Sequence, residues 1–218
     1  MDTVELALLG GICLLFLYLL LLPLWHAAAA SAFPSAAPPS ALLGVFGSGG
    51  HTKELLSVLR WLPPGPPGST RAYVCADSDH TSLSTAVAQG VLSAGEARAV
   101  HVIARAREVG QPALAAAWGT ARGLLQALAV VHRVQPTLLL VNGPGTCIPV
   151  CAAAVLLRAL GLAPARLTIV LVESVCRVRS LSLSGHLAYW LGLADLVAVQ
   201  WPQLQQAFPR AVYVGLQV

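Results

Sequence analysis

Residues 42–56 read LLGVFGSGGHTKELL: an apolar run, a glycine-rich turn and the start of a further regular segment. This pattern predicts a buried β-strand, a tight turn and an α-helix. Glycine tolerates positive φ and lets a ligand approach the backbone closely. The free N–H groups at a helix start suit a phosphate or another anion. The predicted anion-binding residues of this turn are Gly47, Ser48, Gly49, Gly50 and Thr52.

His51 stands at the predicted helix start and is a candidate catalytic base. The positive end of a helix dipole disfavours a protonated imidazole, and a neutral imidazole can accept a proton near physiological pH. The alternative is a tight turn that binds nothing, beside which His51 only caps the helix or packs.

The composition allows one α/β domain and implies that part of its surface is covered. Only 10% of the 218 residues are charged, against roughly 25% in ordinary soluble domains. So few charges indicate a surface covered by membrane, by a partner chain or by both. The formal net charge of +4 comes without a basic tract and gives no support for nucleic-acid binding.

The five cysteines are odd in number and include no C-x-x-C pair. Their spacing predicts neither a disulfide framework nor a zinc site. Reduced thiols facing the cytosol are the simplest interpretation, and no metal ligands are predicted.

The first forty residues differ in composition from the rest of the chain. Residues 6–22 carry no charge and are mostly leucine, which matches a short transmembrane helix. A cleaved signal peptide is the alternative, because residues 27–32 resemble a small-residue cleavage site, but Asp2 and Glu5 before the apolar run argue against it. The predicted organisation is a tail at 1–5, a transmembrane anchor at 6–26, a Pro/Ala linker at 27–40 and a domain at 41–218.

Strand and helix patterns alternate along this domain. Residues 137–141 and 167–172 are continuous apolar or β-forming runs, as expected for parallel strands that are covered on both faces. The alternation predicts an α/β fold with a doubly wound parallel sheet. In such sheets ligands bind beyond the carboxyl ends of the strands, so residues that follow predicted strands are the candidate site.

Polar residues and glycines follow three further predicted strands. Glu173 comes directly after one of them and is a second candidate base, or an acceptor for a sugar hydroxyl. Arg105 and Arg107 follow another, and an isolated arginine pair of this kind is most simply a solvated face. The remaining candidates follow the strand at 137–141 and are Asn142, Gly143, Gly145 and Thr146.

A dinucleotide site is the main rival for the glycine turn. Gly47 and Gly49 supply two glycines of the G-x-G-x-x-G pattern, but Thr52 occupies the third position, so the pattern fails. The phosphate-binding Gly-Lys-Ser/Thr sequence is also absent.

Four sequence runs carry a family resemblance. They are GSGGHT at 47–52, NGPGTCIPV at 142–150, VESVCRV at 172–178 and QWP at 200–202. Together they resemble the membrane-anchoring subunits of the eukaryotic UDP-N-acetylglucosamine transferase, which adds the second GlcNAc to dolichyl-diphosphate-GlcNAc. The resemblance runs from about residue 42 to the C-terminus. The sequence departs from it in the Pro-Gly loop at 63–68 and in a shortened, alanine-rich region at about 86–99.

The resemblance implies a fold and a set of partners. The chain is similar to the N-terminal, acceptor-side half of the bacterial lipid-I GlcNAc transferase, so a Rossmann-like half of a GT-B fold is expected. The donor UDP-GlcNAc would be held mainly by a separate soluble subunit, with no permanently bound cofactor. The expected location is the endoplasmic reticulum membrane, in a single-pass topology. Lys53, the first basic residue after the anchor, favours a cytosolic C-terminal domain.

The implied reaction is an inverting hexosyl transfer that requires the partner chain. His51 or Glu173 would remove the proton of the acceptor's 4-hydroxyl as that oxygen attacks the anomeric carbon of UDP-GlcNAc. The glycine turn would hold diphosphate charge, and Arg105 and Arg107 would assist with lipid phosphates. Two alternatives stay open: a non-catalytic membrane scaffold for a catalytic partner, and a membrane-anchored dinucleotide-binding oxidoreductase.

Overall fold

The computed structural model describes residues 38–79, 81–93, 100–105, 113–143 and 145–216, without the side chains of 113–118. The predicted anchor at 6–26 and most of the predicted linker at 27–40 lie outside these residues. Within the described part of the chain, no helix combines the length and the apolar character needed to cross a membrane.

Seven strands and six helices alternate along the described residues. The strands are β1 (Ala41–Val45), β2 (Thr70–Ala76), β3 (Val100–Ile103), β4 (Leu138–Asn142), β5 (Thr168–Val172), β6 (Leu196–Val199) and β7 (Val212–Tyr213). The helices are α1 (Gly50–Trp61), α2 (Ser82–Ala88), α3 (Ala113–Val134), α4 (Cys147–Ala159), α5 (Leu183–Trp190) and α6 (Pro202–Ala207).

The strands form one parallel sheet in the order β3-β2-β1-β4-β5-β6-β7. From β1 the chain adds β2 and β3 on one side, and from β4 it adds β5, β6 and β7 on the other side. The topological switch point therefore lies between the neighbouring strands β1 and β4. A crevice forms at such a point, outside the carboxyl ends of the strands. The sheet confirms the predicted doubly wound α/β fold.

Both faces of the sheet are buried. In β1, Leu43 and Val45 pack into one cluster with residues of α3, α4 and α5. Leu42 and Phe46 pack into the other cluster with residues of α1 and α2. Successive residues of a strand point to opposite faces of the sheet. In a strand that is covered on both faces, every position is therefore buried and apolar residues are favoured throughout. This explains the continuous apolar runs in the sequence.

The end of β1 is held firmly against β2. The backbone N–H of Phe46 donates to the carbonyl of Val74 (2.8 Å), and the rings of Phe46 and Tyr73 stack with centroids 5.3 Å apart. Gly44 makes room for that tyrosine, because a Cβ at this position would lie 2.9 Å from Tyr73 Cδ1. The turn that follows Phe46 therefore starts from a fixed point.

Two short helices lie in the C-terminal part of the domain, over Leu183–Trp190 and Pro202–Ala207. Ser182 caps the first of these, since its hydroxyl accepts a hydrogen bond from the N–H of Gly185 (3.0 Å). Pro202 occupies the first turn of the second, where proline is well tolerated.

Candidate functional site at the switch point

The glycine turn after β1 faces solvent. Ser48, Gly49 and Gly50 are exposed, and a Cβ at Gly49 or Gly50 would meet nothing within 4 Å. Gly49 has φ of +69°, so its backbone conformation, and not crowding, favours glycine there. Helix α1 starts at Gly50 without a side-chain cap and without an acidic residue in its first turn. Its first N–H groups are therefore suited to an anionic ligand.

A hydroxyl network fixes the base of this turn. The buried Thr52 hydroxyl donates to the carbonyl of Gly47. Ser82 Oγ, at the start of α2, lies 3.3 Å from the same carbonyl oxygen and 2.5 Å from Asp79 Oδ2. The carbonyl of Gly47 is thus directed inward, which leaves residues 48–50 on the outer side of the turn.

His51 packs against the end of the neighbouring strand β4. Its Nδ1 lies 3.0 Å from Oδ1 of Asn142, the last residue of that strand. Gly143 follows with φ of +88°, and a Cβ on it would overlap the imidazole ring. Gly143 is therefore required both by its backbone conformation and by the close approach of His51. The structure brings these three predicted residues together at the switch point.

Glu54 completes this cluster, although it is not among the site residues predicted from the sequence. Its side chain is 7% exposed, and Oε2 accepts a hydrogen bond from Asn142 Nδ2 (3.0 Å) and lies 3.6 Å from His51 Nδ1. Oε1 accepts from Ser174 Oγ (2.8 Å) and from the N–H of Val175 (3.1 Å). Residues three apart share a helix face, so the His51–Glu54 spacing was a signal that could have found it.

The carboxylate reverses the expected electrostatics of His51. Interaction with Glu54 raises the pKa of His51 above its ordinary value; burial opposes this and Asn142 reinforces it. The prediction that the helix start keeps the imidazole neutral is therefore wrong in direction. A full carboxylate nearby outweighs the partial charge of a helix end.

The pKa of Glu54 moves in the complementary direction. Burial alone would raise it, but the nearby His51 imidazole and hydrogen bonds from Asn142, Ser174 and the Val175 N–H hold the pKa below its ordinary value. Several donors that converge on one carboxylate stabilise its charged form. Glu54 is therefore an anion at neutral pH, placed beside the imidazole.

Glu173 occupies a different environment. It is fully buried, and its carboxylate accepts hydrogen bonds from the N–H of Ser174 (2.9 Å), the N–H of Ser182 (2.8 Å) and the hydroxyl of Ser182 (3.0 Å). A Cβ on Gly185 would overlap this carboxylate. These contacts tie the segment after β5 to the start of α5. They favour a structural role, so His51 has the better geometry for a base of the two predicted candidates.

Of the remaining predicted residues, those that the structure describes are spread along the same edge of the sheet. Gly145 is exposed and Thr146 is buried at the start of α4. Arg105 follows β3, where Nη1 donates to Ser78 Oγ (3.1 Å) and its N–H donates to Asp77 Oδ1 (3.2 Å). This arginine lies two strands away from β1 in the sheet order. Arg107 lies outside the described residues.

Comparison with known sequences identifies relatives over most of the chain. A profile of the family described as "Oligosaccharide biosynthesis protein Alg14 like" matches residues 42–217. The chain is 42% identical over 181 residues to the UDP-N-acetylglucosamine transferase subunit ALG14 of Rattus norvegicus, covering 80% of this chain and 81% of the relative. The protein of the same name from Homo sapiens is 39% identical over 181 residues, with the same coverage.

The relatives extend to fungi, and a solved structure shares the fold. The ALG14 subunit of Yarrowia lipolytica is 37% identical over 179 residues, 81% of each chain. The crystal structure of a Neisseria meningitidis UDP-GlcNAc 2-epimerase bound to UDP-GlcNAc matches with a TM-score of 0.51 and 14% identity, over 81% of this chain and 47% of that one. The structural match shows the fold alone. The family profile and the sequence relatives show that the chain belongs to the Alg14-like family of oligosaccharide biosynthesis proteins.

Proposed function

We propose that the chain is the acceptor-binding, membrane-anchoring subunit of a two-chain UDP-GlcNAc transferase. The reaction would add the second GlcNAc to dolichyl-diphosphate-GlcNAc at the cytosolic face of the endoplasmic reticulum. One observation carries the proposal: in a member of this family, a solvent-facing glycine turn and His51 share the switch point of the sheet. The relatives are named as subunits of a UDP-GlcNAc transferase, which supports both the reaction class and a partner chain.

The glycine turn would hold the diphosphate of the acceptor. The open space at Gly49 and Gly50 lets phosphate oxygens approach the backbone, and the N–H groups at the start of α1 can donate to them. Asn142, Gly143, Gly145 and Thr146 line the adjacent strand end. Arg105, farther along the edge, would contact phosphate charge of the lipid, and Arg107 is proposed for the same role from the sequence alone.

His51 would act as the general base. Its Nδ1 is engaged by Asn142 and Glu54, which leaves Nε2 as the nitrogen that can reach a substrate, and the side chain keeps 33% of its surface exposed. The acceptor's 4-hydroxyl would lose its proton to Nε2 while its oxygen attacks the anomeric carbon of UDP-GlcNAc. UDP leaves with the bonding electron pair, and the configuration inverts.

The donor nucleotide would be bound by the partner subunit. The described residues form a single sheet with one switch point, which we assign to the acceptor. The soluble partner would close over this edge and bring UDP-GlcNAc to it. Residues 6–26 would anchor the assembly in the membrane, and the linker at 27–40 would allow the site to reach the lipid-linked sugar.

The test is a transfer assay on the two chains purified together from membranes. His51→Ala is expected to lower the turnover number by about a hundredfold or more, with the partner still bound. His132→Ala is the matched control, because this exposed histidine lies in the last turn of α3, away from the switch point. Near-normal turnover of His51→Ala in an intact complex would remove the base role and favour the scaffold alternative.

A further inference from the structure

The orientation of the Asn142 amide is determined by its neighbours. Nδ2 lies 3.0 Å from Glu54 Oε2 and 3.2 Å from the carbonyl oxygen of Val172. An ionised carboxylate and a backbone carbonyl are both acceptors only. The NH₂ group must therefore point towards these two oxygens, and the amide cannot flip without placing its own oxygen against both of them.

This orientation fixes where the proton of His51 lies. With Nδ2 committed to its two acceptors, Asn142 Oδ1 is the atom that faces His51 Nδ1 at 3.0 Å. An amide oxygen only accepts hydrogen bonds, so Nδ1 must carry a hydrogen. A neutral imidazole has one N–H group, and its lone pair is therefore on Nε2.

Glu54 is itself held in a single position. Donors from the segment after β5, Ser174 Oγ at 2.8 Å and the Val175 N–H at 3.1 Å, both bind Oε1. Both Glu54 and Asn142 are buried. Three parts of the fold, namely α1, the end of β4 and the segment after β5, therefore meet at one carboxylate.

We propose that Glu54 is a positioning residue that acts through Asn142 to hold His51 in the tautomer with its lone pair on Nε2. Its catalytic consequence rests on the proposed function, since the lone pair is useful only if an acceptor hydroxyl meets it. In the transfer step the O–H bond of that hydroxyl breaks, the proton forms Nε2–H, and the charge of Glu54 stabilises the imidazolium. The second carboxylate that acts on His51 is that of Glu173.

Glu54→Gln is the variant that separates these contributions. With the glutamine oxygen on the donors of residues 174 and 175, its NH₂ group faces Asn142 Nδ2, donor against donor. Turning the Asn142 amide removes this clash and gains a hydrogen bond from the glutamine NH₂, at the loss of the Nδ2 contact with the Val172 carbonyl. His51 Nδ1 then has to accept a hydrogen bond, and the proton moves to Nε2. Glu54→Asp keeps the charge, so it is expected to retain the wild-type tautomer with a smaller loss of turnover.

The measurement uses the full chain with isotope-labelled histidine in lipid nanodiscs. Nitrogen NMR shifts distinguish the two tautomers, and His51→Gln assigns the signal. We expect the Nδ1–H tautomer in the wild-type chain and the Nε2–H tautomer in Glu54→Gln. In the complex with the partner, Glu54→Gln is expected to lower kcat by about tenfold or more with little change in the KM for the acceptor. The acidic limb of the profile of kcat against pH is expected to move to lower pH.

A structural carboxylate provides the matched control. Asp195 is partly buried and paired with Arg158 at 2.7 Å, near the start of β6 and thus at the opposite edge of the sheet. Asp195→Asn is expected to lower thermal stability without changing the His51 tautomer or the pH limb. A merely structural Glu54 would behave in the same way.

Two results would overturn the inference. One is an Nε2–H tautomer of His51 in the wild-type chain, and this result does not depend on any variant folding. The other is an unchanged tautomer in folded Glu54→Gln. Failure of the proposed function looks different: the tautomers would follow the expectation, but His51→Ala would retain full transfer activity.

Discussion

Two buried carboxylates, Glu54 and Glu173, lie at the same edge of the sheet and differ in the groups that they contact. Glu173 accepts hydrogen bonds from backbone N–H groups and a serine hydroxyl, none of which titrates near neutral pH. Glu54 contacts a titratable, partly exposed imidazole and the amide that orients it. The two carboxylates are similar in burial and in the number of hydrogen bonds that they accept. They differ in the chemistry of their partners, which indicates a structural role for Glu173 and a role in the candidate site for Glu54.

The largest expected effect is on stability at Glu173. Glu173→Ala would leave the N–H groups of Ser174 and Ser182 without their acceptor in a buried position. We expect a loss of roughly 3 kcal/mol or more in the free energy of unfolding, measured by thermal or denaturant unfolding of the chain. Full stability combined with abolished transfer would contradict the assignment and return Glu173 to the role of base.

Two glycines offer a matched pair of intermediate size. A Cβ on Gly185 would overlap the Glu173 carboxylate, and a Cβ on Gly143 would overlap His51. Each alanine variant is expected to lower the free energy of unfolding by about 1–3 kcal/mol. The cause is overpacking at both positions, and at Gly143 the positive φ adds to it.

The pair differs in function, which sharpens the comparison. Gly143→Ala is expected to displace the imidazole and lower transfer activity beyond its loss of stability, whereas Gly185→Ala is expected to lower activity only as far as the folded fraction falls. Transfer rates normalised to folded complex provide the measurement. Equal normalised rates in both variants would break the distinction between the two regions.

The smallest expected effect is a pH-dependent contribution of His51 to stability. The folded pKa of His51 lies above its ordinary value of 6.5, so protonation favours the folded chain. This contribution is fully present below about pH 6.5 and is lost as the pH rises through the raised pKa. Glu54 has the opposite sign: its contribution is present above its ordinary pKa of 4.5 and is lost as the pH falls through the lowered value.

His51→Gln measures this contribution against the wild-type chain. The variant is expected to lose more stability at about pH 5.5 than at about pH 8.5, as measured by thermal unfolding at both values. The effect is modest because His51 remains one-third exposed and solvent screens its interaction with Glu54. A larger loss at the higher pH would show that the imidazole is stabilised in its neutral form.

The sequence predicted the sheet well because its signals are local. Apolar runs such as residues 137–141 are required when a strand is covered on both faces, and the glycines at 47–50 mark the turn in any context. His51, Asn142 and Gly143 could be placed at one edge from topology alone, because the ends of parallel strands meet there.

The contacts within the site were not predictable in the same way. Glu173 follows its strand as a catalytic carboxylate would, and only the position of Ser182 shows that its oxygens are already engaged. Glu54 does not follow a strand, so no sequence pattern marks it. Its contacts are with Asn142 and Ser174, which lie 88 and 120 positions farther along the chain. The pKa direction of His51 was misjudged for the same reason, since the helix start was visible in the sequence and the carboxylate contact was not.

The central claim is that the switch point binds the lipid acceptor and presents it to His51. The most direct measurement is titration of the full chain alone, in nanodiscs, with dolichyl-diphosphate-GlcNAc while the His51 nitrogen signals are observed. The account predicts saturable binding that perturbs Nε2 of His51 and leaves the signal of the control His132 unchanged. Absence of binding, or binding that leaves His51 unperturbed, would contradict it.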